Sequence, residues 1–305
     1  MSAKRGESGL AGVLLVDKPA GMTSHDVVNR VRRALGERRV GHAGTLDPMA
    51  TGLLLVLVGP YTRLEPYLSS QTKRYTATLS FGAETDTDDA EGRVTHTLDV
   101  PGDALDAAYA RSLLASLLGD SLQTPPVYSA IKVGGRVAHR AARAGDPLEV
   151  SPRPISVTRA ELLDVTPGPP TSWTVDFTVS KGTYIRALAR DIGRAAGSAA
   201  HLSGLVRTEV GAALLQDALT LDDIVETGTG FRPAEVFTDP VPLLNLPVLE
   251  ADADHVRFGR SLPIPDIDGD LVAVLSGGVL VAIYRRTATA LVPEAVFPVV
   301  VKAAS

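Results

Sequence analysis

The sequence predicts an α+β protein whose last part is small and β-rich. Three observations carry this. Apolar residues recur at helical spacing at Val27, Val28, Val31 and Leu35, and again at Ile185, Leu188, Ala189 and Ile192. Elsewhere the period is two, with Tyr75, Ala77, Leu79 and Phe81 alternating against Thr76, Thr78 and Ser80. After about Pro240 short β-rich runs (Leu271 to Leu275, Leu280 to Tyr284, Phe297 to Val301) are separated by Gly277-Gly278 and by prolines.

Taken in order, Gly12 to Val16 is a short apolar strand that leads into the loop Asp17-Lys18-Pro19-Ala20-Gly21-Met22-Thr23-Ser24. Thr23 or Ser24 can cap the next helix, with Asp26 placed for a capping-box contact back to Thr23, and Gly36 ends it. Arginines occupy the far side of that helix. Leu53 to Val58 is fully apolar and closed by Gly59-Pro60, the signature of a buried core strand. Before it stands a glycine-punctuated loop, Gly41 to Gly52, holding His42 and Asp47. Pro48 pushes Asp47 out of helical geometry. A single carboxylate is thus presented on a stiff loop anchored to an immobile strand, a common mount for a catalytic side chain.

The alternating stretch from Lys73 turns Tyr75 to the apolar side. The dense acidic loop Glu84 to Gly92 lacks the spacing of an EF-hand and its terminal bidentate glutamate, and reads as structural. Ala107 to Leu118 is expected to be a helix with Leu113, Leu114, Leu117 and Leu118 facing the core. Two prolines, Pro125 and Pro126, break it, and Gly134-Gly135 and a basic segment with Arg136, Arg140 and Arg143 follow. Trp173, Val175, Phe177 and Val179 mark another strand, which runs into Lys181-Gly182-Thr183-Tyr184-Ile185-Arg186 and a helix. Arg186 and Arg190, four apart, share one helical face, where a surface position is the default.

With 305 residues the chain is long enough for one large domain and a small one, and residues 1–9 are polar and small, as in a loose tail. Cysteine is absent, which excludes disulfides and thiolate metal sites and fits a cytoplasmic protein. No apolar stretch reaches the roughly 18 residues of a membrane span, and no apolar run follows the charged start, so neither a span nor a secretory signal is expected. The net charge of -5 argues against nucleic acid, but it is unevenly spread. Arg30, Arg32, Arg33, Arg38 and Arg39 form one basic group, and Lys181, Arg186, Arg190, Arg194 and Arg207 a second, so a local basic cleft stays open.

The stretch Gly41-His42-Ala43-Gly44-Thr45-Leu46-Asp47-Pro48-Met49-Ala50-Thr51-Gly52 resembles, without a gap, the signature of the TruB family of tRNA pseudouridine synthases. The Asp17-to-Ser24 loop, Lys73-Arg74-Tyr75, the acidic loop, Pro125-Pro126-Val127-Tyr128-Ser129-Ala130-Ile131-Lys132 and the Lys181-to-Gly193 stretch resemble further motifs of that family. The resemblance is strong over about residues 12–211. It implies a mixed, largely antiparallel sheet core of the pseudouridine synthase type with flanking helices, in a catalytic domain over 10–240. An RNA-clamping insertion lies at about 123–154, and a PUA-like RNA-binding domain follows over 241–305; a stabilising extension without an RNA role is the alternative there. Two departures stand out: His139 replaces a tyrosine, and Val206-Arg207 replaces a basic pair.

The resemblance makes Asp47 the catalytic residue, with Tyr75 stacking on the target base and Arg186 pairing with the carboxylate. It further places His42, Lys18, Thr23, Lys132, Arg143, Lys181 and Tyr184 on the RNA. The implied reaction breaks the N1–C1′ glycosidic bond of a uridine, turns the base and rejoins it through C5. Asp47 either attacks C1′ or abstracts a sugar proton. No metal, redox group or nucleotide takes part in such an isomerisation, so no cofactor is expected. The implied substrate is uridine 55 in the T-arm of tRNA, reached by flipping the base at a cost of a few kcal/mol. A stand-alone monomer without guide RNA or membrane partner is expected. An RNA-binding protein without catalysis is one rival reading. A glycosidase-like hydrolase is another, but it needs two flanking carboxylates, and Asp47 has no partner acid in its motif.

Overall fold

The computed structural model describes residues 9–226 and 236–297. Most of the expected tail, and all but the first residue of the expected strand Phe297 to Val301, lie outside them. In chain order come β1 (Gly12–Lys18), α1 (Ser24–Leu35), β2 (Val40–Ala43), β3 (Thr51–Val58) and α2 (Glu65–Leu68). Next are β4 (Lys73–Phe81), β5 (Ala83–Thr85), β6 (Val94–Thr97), α3 (Ala107–Ala115), β7 (Gly119–Gln123), β8 (Lys132–Val133), β9 (Arg136–Val137) and α4 (Ala138–Arg143). These are followed by β10 (Arg153–Thr166), β11 (Ser172–Val179), α5 (Ile185–Ala195), β12 (Ala200–Val210), β13 (Ala213–Leu214), β14 (Leu219–Thr220) and α6 (Leu221–Glu226). The chain closes with β15 (Val248–Glu250), β16 (Leu271–Ser276), β17 (Val279–Arg286) and β18 (Leu291–Val296). The described residues divide into two compact units, one drawn from residues 9–48, 52–70, 209–226 and 236–297, the other from Met49–Thr51 and Gln71–Thr208.

In the first unit β1 and β3 run antiparallel from Gly12↔Val58 to Lys18↔Gly52, β2 joins the other side of β3 antiparallel, and β14 joins β1 in parallel. Every side chain from Leu53 to Val58 is buried, as a continuous apolar run requires. The capping box at the start of α1 is present in both directions, and Gly36 closes the helix in the left-handed conformation that glycine adopts without strain. The last sheet, in the order β15-β16-β17-β18, is buried on both faces. Ala273, Leu280, Ile283, Ala295 and Phe297 share one cluster with Leu53, Leu55 and Leu64, while Val272, Val274, Val281 and Tyr284 form a second cluster with Val256 and Leu262. Tyr61 fastens the first cluster, its hydroxyl donating to the Leu280 carbonyl at 3.2 Å and its ring meeting Phe297 edge-on. The hairpin between β16 and β17 turns through Gly277 and Gly278, both at positive φ, as a two-residue turn of this kind demands.

The second unit carries the strand order β12-β4-β11-β10-β7, with β4, β11, β10 and β7 paired antiparallel. The alternation expected from Lys73 is realised: Tyr75, Ala77, Leu79 and Phe81 are buried, and Trp173, Val175, Phe177 and Val179 fill the matching positions of β11. On the opposite face Asp176 is also buried, because Arg74 and Arg159 both close on it, at 2.7 and 2.6 Å. The mixed, largely antiparallel sheet with flanking helices is therefore as the sequence implied. Helix α3 differs: it stops at Ala115, and of the four leucines expected inside only Leu114 is buried, while Leu118 is exposed. The turn that follows rotates Leu117 and Leu118 off the helical stripe. Gly193 lets α5 press against the start of β12, since a Cβ there would lie 2.5 Å from the Ala200 nitrogen.

Candidate active site

Asp47 sits in the loop that joins β2 to β3, and the residues on either side of it are fixed from the Asp17-to-Ser24 loop. Ser24, buried at the start of α1, accepts from the Leu46 N–H at 2.8 Å and donates to the Leu46 carbonyl at 3.1 Å. The Pro48 carbonyl accepts from the Gly21 N–H at 2.9 Å and from the Lys18 ammonium at 3.3 Å. Lys18 also donates to the carbonyls of Met22 and Pro19, at 2.7 and 2.9 Å, and is fully buried. Its charge is thus spread over three backbone carbonyls, and its geometric effect is to tie one loop to the other. Thr23 is exposed, with its hydroxyl and N–H on the Asp26 carboxylate at 2.6 and 3.0 Å. The Thr23 side chain, then its backbone N–H, holds the Asp26 carboxyl below the usual range. His42, on β2 opposite Val56, is half-buried.

Tyr75 and Arg186 belong to the second unit. Tyr75 lies on β4 opposite Phe177, almost fully buried. Arg186 is not the surface residue that a helical arginine is by default. It is 5% exposed; its guanidinium donates to the carbonyls of Thr87 and Tyr128 at 2.8 and 3.1 Å and lies 3.7 Å from the Asp89 carboxylate. One turn on, Arg190 meets Asp88 at 2.8 Å and the Thr124 carbonyl at 2.9 Å; after another turn Arg194 forks onto Glu84 with two bonds of 2.7 Å. The acidic loop is the counter-charge of α5, rung by rung. Arg194 holds the Glu84 carboxyl below its usual range, whereas burial outweighs the arginines at Asp88 and pushes it up to about 6.

The remaining expected RNA contacts lie around the insertion. Lys132, Arg143 and Lys181 are exposed, and Tyr184 is half-buried. Gln123 brackets Tyr184 at the base of the insertion, donating to its carbonyl at 3.1 Å and accepting from its N–H at 2.9 Å. Ile131, Ala138 and Val150 form a small core there, packed against Val133 and Tyr184. His139 is turned inward, with Nδ1 3.0 Å from the Ser129 carbonyl. Among the described residues no group of three or more His, Cys, Asp or Glu side chains is arranged to hold a metal ion. The sequence reading missed Ser24, Gln123 and the Asp88 and Asp89 partners. Only the last pair left a signal, the density of acids over the 84–89 loop set against the arginines repeated every four residues from Arg186.

A family model described as TruB family pseudouridylate synthase (N terminal domain) matches residues 32–185, a stretch that contains Asp47 and Tyr75 and ends one residue before Arg186. The tRNA pseudouridine synthase B of Deinococcus radiodurans is 40% identical over 304 residues, covering 87% of this chain and 96% of that protein. The protein of the same name from Mycobacterium tuberculosis (strain H37Rv) is 42% identical over 290 residues, covering 90% and 91%. Among solved structures, a chain of an H/ACA RNP bound to a substrate RNA containing 2′-deoxyuridine superimposes with a TM-score of 0.70 at 25% identity, over 95% of this chain and 86% of that one. A chain of a Cbf5-Nop10-Gar1 complex gives 0.69 at 26% identity, over 94% and 85%. A signature loop held on both sides of its aspartate, in a chain that matches such relatives nearly end to end, has one reading: the chain belongs to the TruB family of pseudouridylate synthases.

Proposed function

We propose that this chain isomerises uridine to pseudouridine in tRNA, at position 55 of the T-loop, with Asp47 as the catalytic carboxylate. The observation that carries the reading is the mount of Asp47. Both neighbouring peptide units are hydrogen-bonded to a second loop, so the carboxylate is held before substrate arrives, which is where much of an enzyme's positioning advantage originates. In the reaction the N1–C1′ bond breaks, a C5–C1′ bond forms, C5 gives up its proton and N1 gains one, so the product has the mass of the substrate. Asp47 acts at the sugar, by attack on C1′ or by proton abstraction. Tyr75 and Arg186 serve the same uridine, the first by stacking. His42, Thr23, Lys132, Arg143, Lys181 and Tyr184 are assigned to the RNA, Lys18 acting through the loop it fastens. The insertion over about 123–154 clamps the T-arm, and the β-rich end from 241 is assigned to RNA as a PUA-like domain. The enzyme works as a cytoplasmic monomer, without guide RNA; no helix among the described residues is long and apolar enough to cross a membrane.

The test is chemical tagging of pseudouridine in an unmodified tRNA transcript. Wild type is expected to modify the T-loop uridine with no added factor, and Asp47→Ala to bind the transcript without reacting. Binding by wild type with every uridine left unchanged would sink the enzyme reading in favour of an RNA-binding protein.

A further inference from the structure

Helix α1 turns a strip of arginines to solvent. Arg30 and Arg33, three apart, share one face, and Arg38 follows just beyond the left-handed turn at Gly36; all three are exposed. Two open grooves, of about 600 and 450 Å³, run along this strip and share Arg32 and Arg33, the first adding Asn29 and Arg30 and the second Arg38. The acids nearby are committed. Asp26 belongs to the capping box, and Glu37 is buried with the Arg39 N–H donating to it at 2.9 Å. Arg32 bends back to Asn29 and to the Val40 carbonyl, at 3.0 and 2.7 Å. Among the described residues no carboxylate closes to ion-pair distance of Arg30, Arg33 or Arg38.

Folding gains little from these three exposed guanidinium groups: Arg30 acts on the Asp26 carboxylate one turn before it without closing to an ion pair, and beyond that there is only a weak interaction with the end of the helix dipole. Their planar forks fit phosphate oxygens two bonds at a time. No aromatic ring lines either groove, so there is no platform on which to stack a base. We propose that this face binds the sugar–phosphate backbone of the substrate RNA through Arg30, Arg33 and Arg38, adding affinity and no base specificity. The inference rests on the reading of the chain as a tRNA-modifying enzyme.

The experiment measures binding of the full chain to an unmodified tRNA transcript between about 50 and 200 mM salt. It compares wild type, the triple variant Arg30→Gln/Arg33→Gln/Arg38→Gln and the corresponding triple lysine variant. Every phosphate that an arginine no longer neutralises should reduce the slope of log K against log salt by about 0.7 to 0.9. The glutamine triple should therefore lose roughly two units of slope and bind at least tenfold more weakly at the low-salt end. The rate at saturating tRNA should stay unchanged, and the lysine triple should keep the wild-type slope. Superimposable melting curves check folding; should the triple fail to fold, each single glutamine variant must lower the slope by itself. An unchanged slope overturns the proposal, as does a reduced rate at saturation with unaltered binding. Failure of the underlying reading looks different, since wild type itself would then leave every uridine of the transcript unchanged whatever the slope of its binding.

Discussion

Helices α1 and α5 carry similar runs of arginine and put them to opposite ends. On α5 the side chains of Arg186, Arg190 and Arg194, on successive turns, each meet an acid of the 84–89 loop, and the first two are nearly buried. On α1 and just after it, Arg30, Arg33 and Arg38 face solvent with no acid at ion-pair distance among the described residues. The number of basic residues is similar in the two regions, but the availability of their charge is not. A buried guanidinium without its carboxylate is costly to the fold, so α5 is built around its arginines. An exposed one costs almost nothing to remove, so the α1 strip is free to be chosen for what it meets outside the fold.

The sharpest way to break this contrast is to remove Arg186. Arg186→Met leaves the buried Asp89 carboxylate without its cation and two loop carbonyls without a donor, and about 3 to 5 kcal/mol of stability should go with it. Activity should vanish as well. Adding Asp89→Leu to Arg186→Met should return a large part of the stability and none of the activity. With stability read by urea titration in every case, the glutamine triple on α1 should shift by less than about 0.5 kcal/mol per site. Equal losses on both helices would erase the distinction.

A smaller effect is expected where α5 is tied to the insertion. Gln123→Ala removes two bonds to the backbone of the half-buried Tyr184, at about 1 to 3 kcal/mol. The loss should appear locally, as faster hydrogen exchange over residues 123–154 and at the first turn of α5, while β4 and β11 keep their protection. Uniformly faster exchange would mean that Gln123 supports the whole unit and not the insertion.

What the sequence disclosed and what it withheld divide along the same line. The capping box of Thr23 and Asp26, the buried run Leu53 to Val58, the alternation through Tyr75 and the glycine turn at 277–278 were all legible, because each is written in residues adjacent along the chain. The aspartate loop was legible as a motif. The fate of the arginines was not, because Arg194 and Glu84 stand 110 positions apart and nothing local says that they meet. The same holds for Ser24 and Leu46, which are 22 apart, and for Lys18, whose burial depends on carbonyls that a fold must first assemble. Leu118 failed for the opposite reason, since local periodicity carried the helix past the point at which it ends.

The ladder on α5 can be read one rung at a time by pH. Asp88 has its carboxyl pushed up to about 6 from an ordinary 3.8, with burial outweighing Arg190 and Arg186. Between those two values the folded chain keeps a proton that the unfolded chain has released, so the Asp88 contribution to stability declines as pH rises from about 4 to 6 and is least favourable above. Glu84 has the opposite sign. Arg194 holds its carboxyl below the ordinary 4.5, so its contribution is present above that value and is lost as pH falls below it. Urea unfolding of wild type, Asp88→Asn and Glu84→Gln from pH 4 to 7 separates the two. Relative to Asp88→Asn, wild type should lose stability as pH rises through the window, by at most about 1.4 kcal/mol per pH unit. Relative to Glu84→Gln it should lose stability only toward the acid end. A difference from Asp88→Asn that stays constant with pH would mean that Arg190 keeps Asp88 ionised throughout, and that all three rungs of α5 are equally tight.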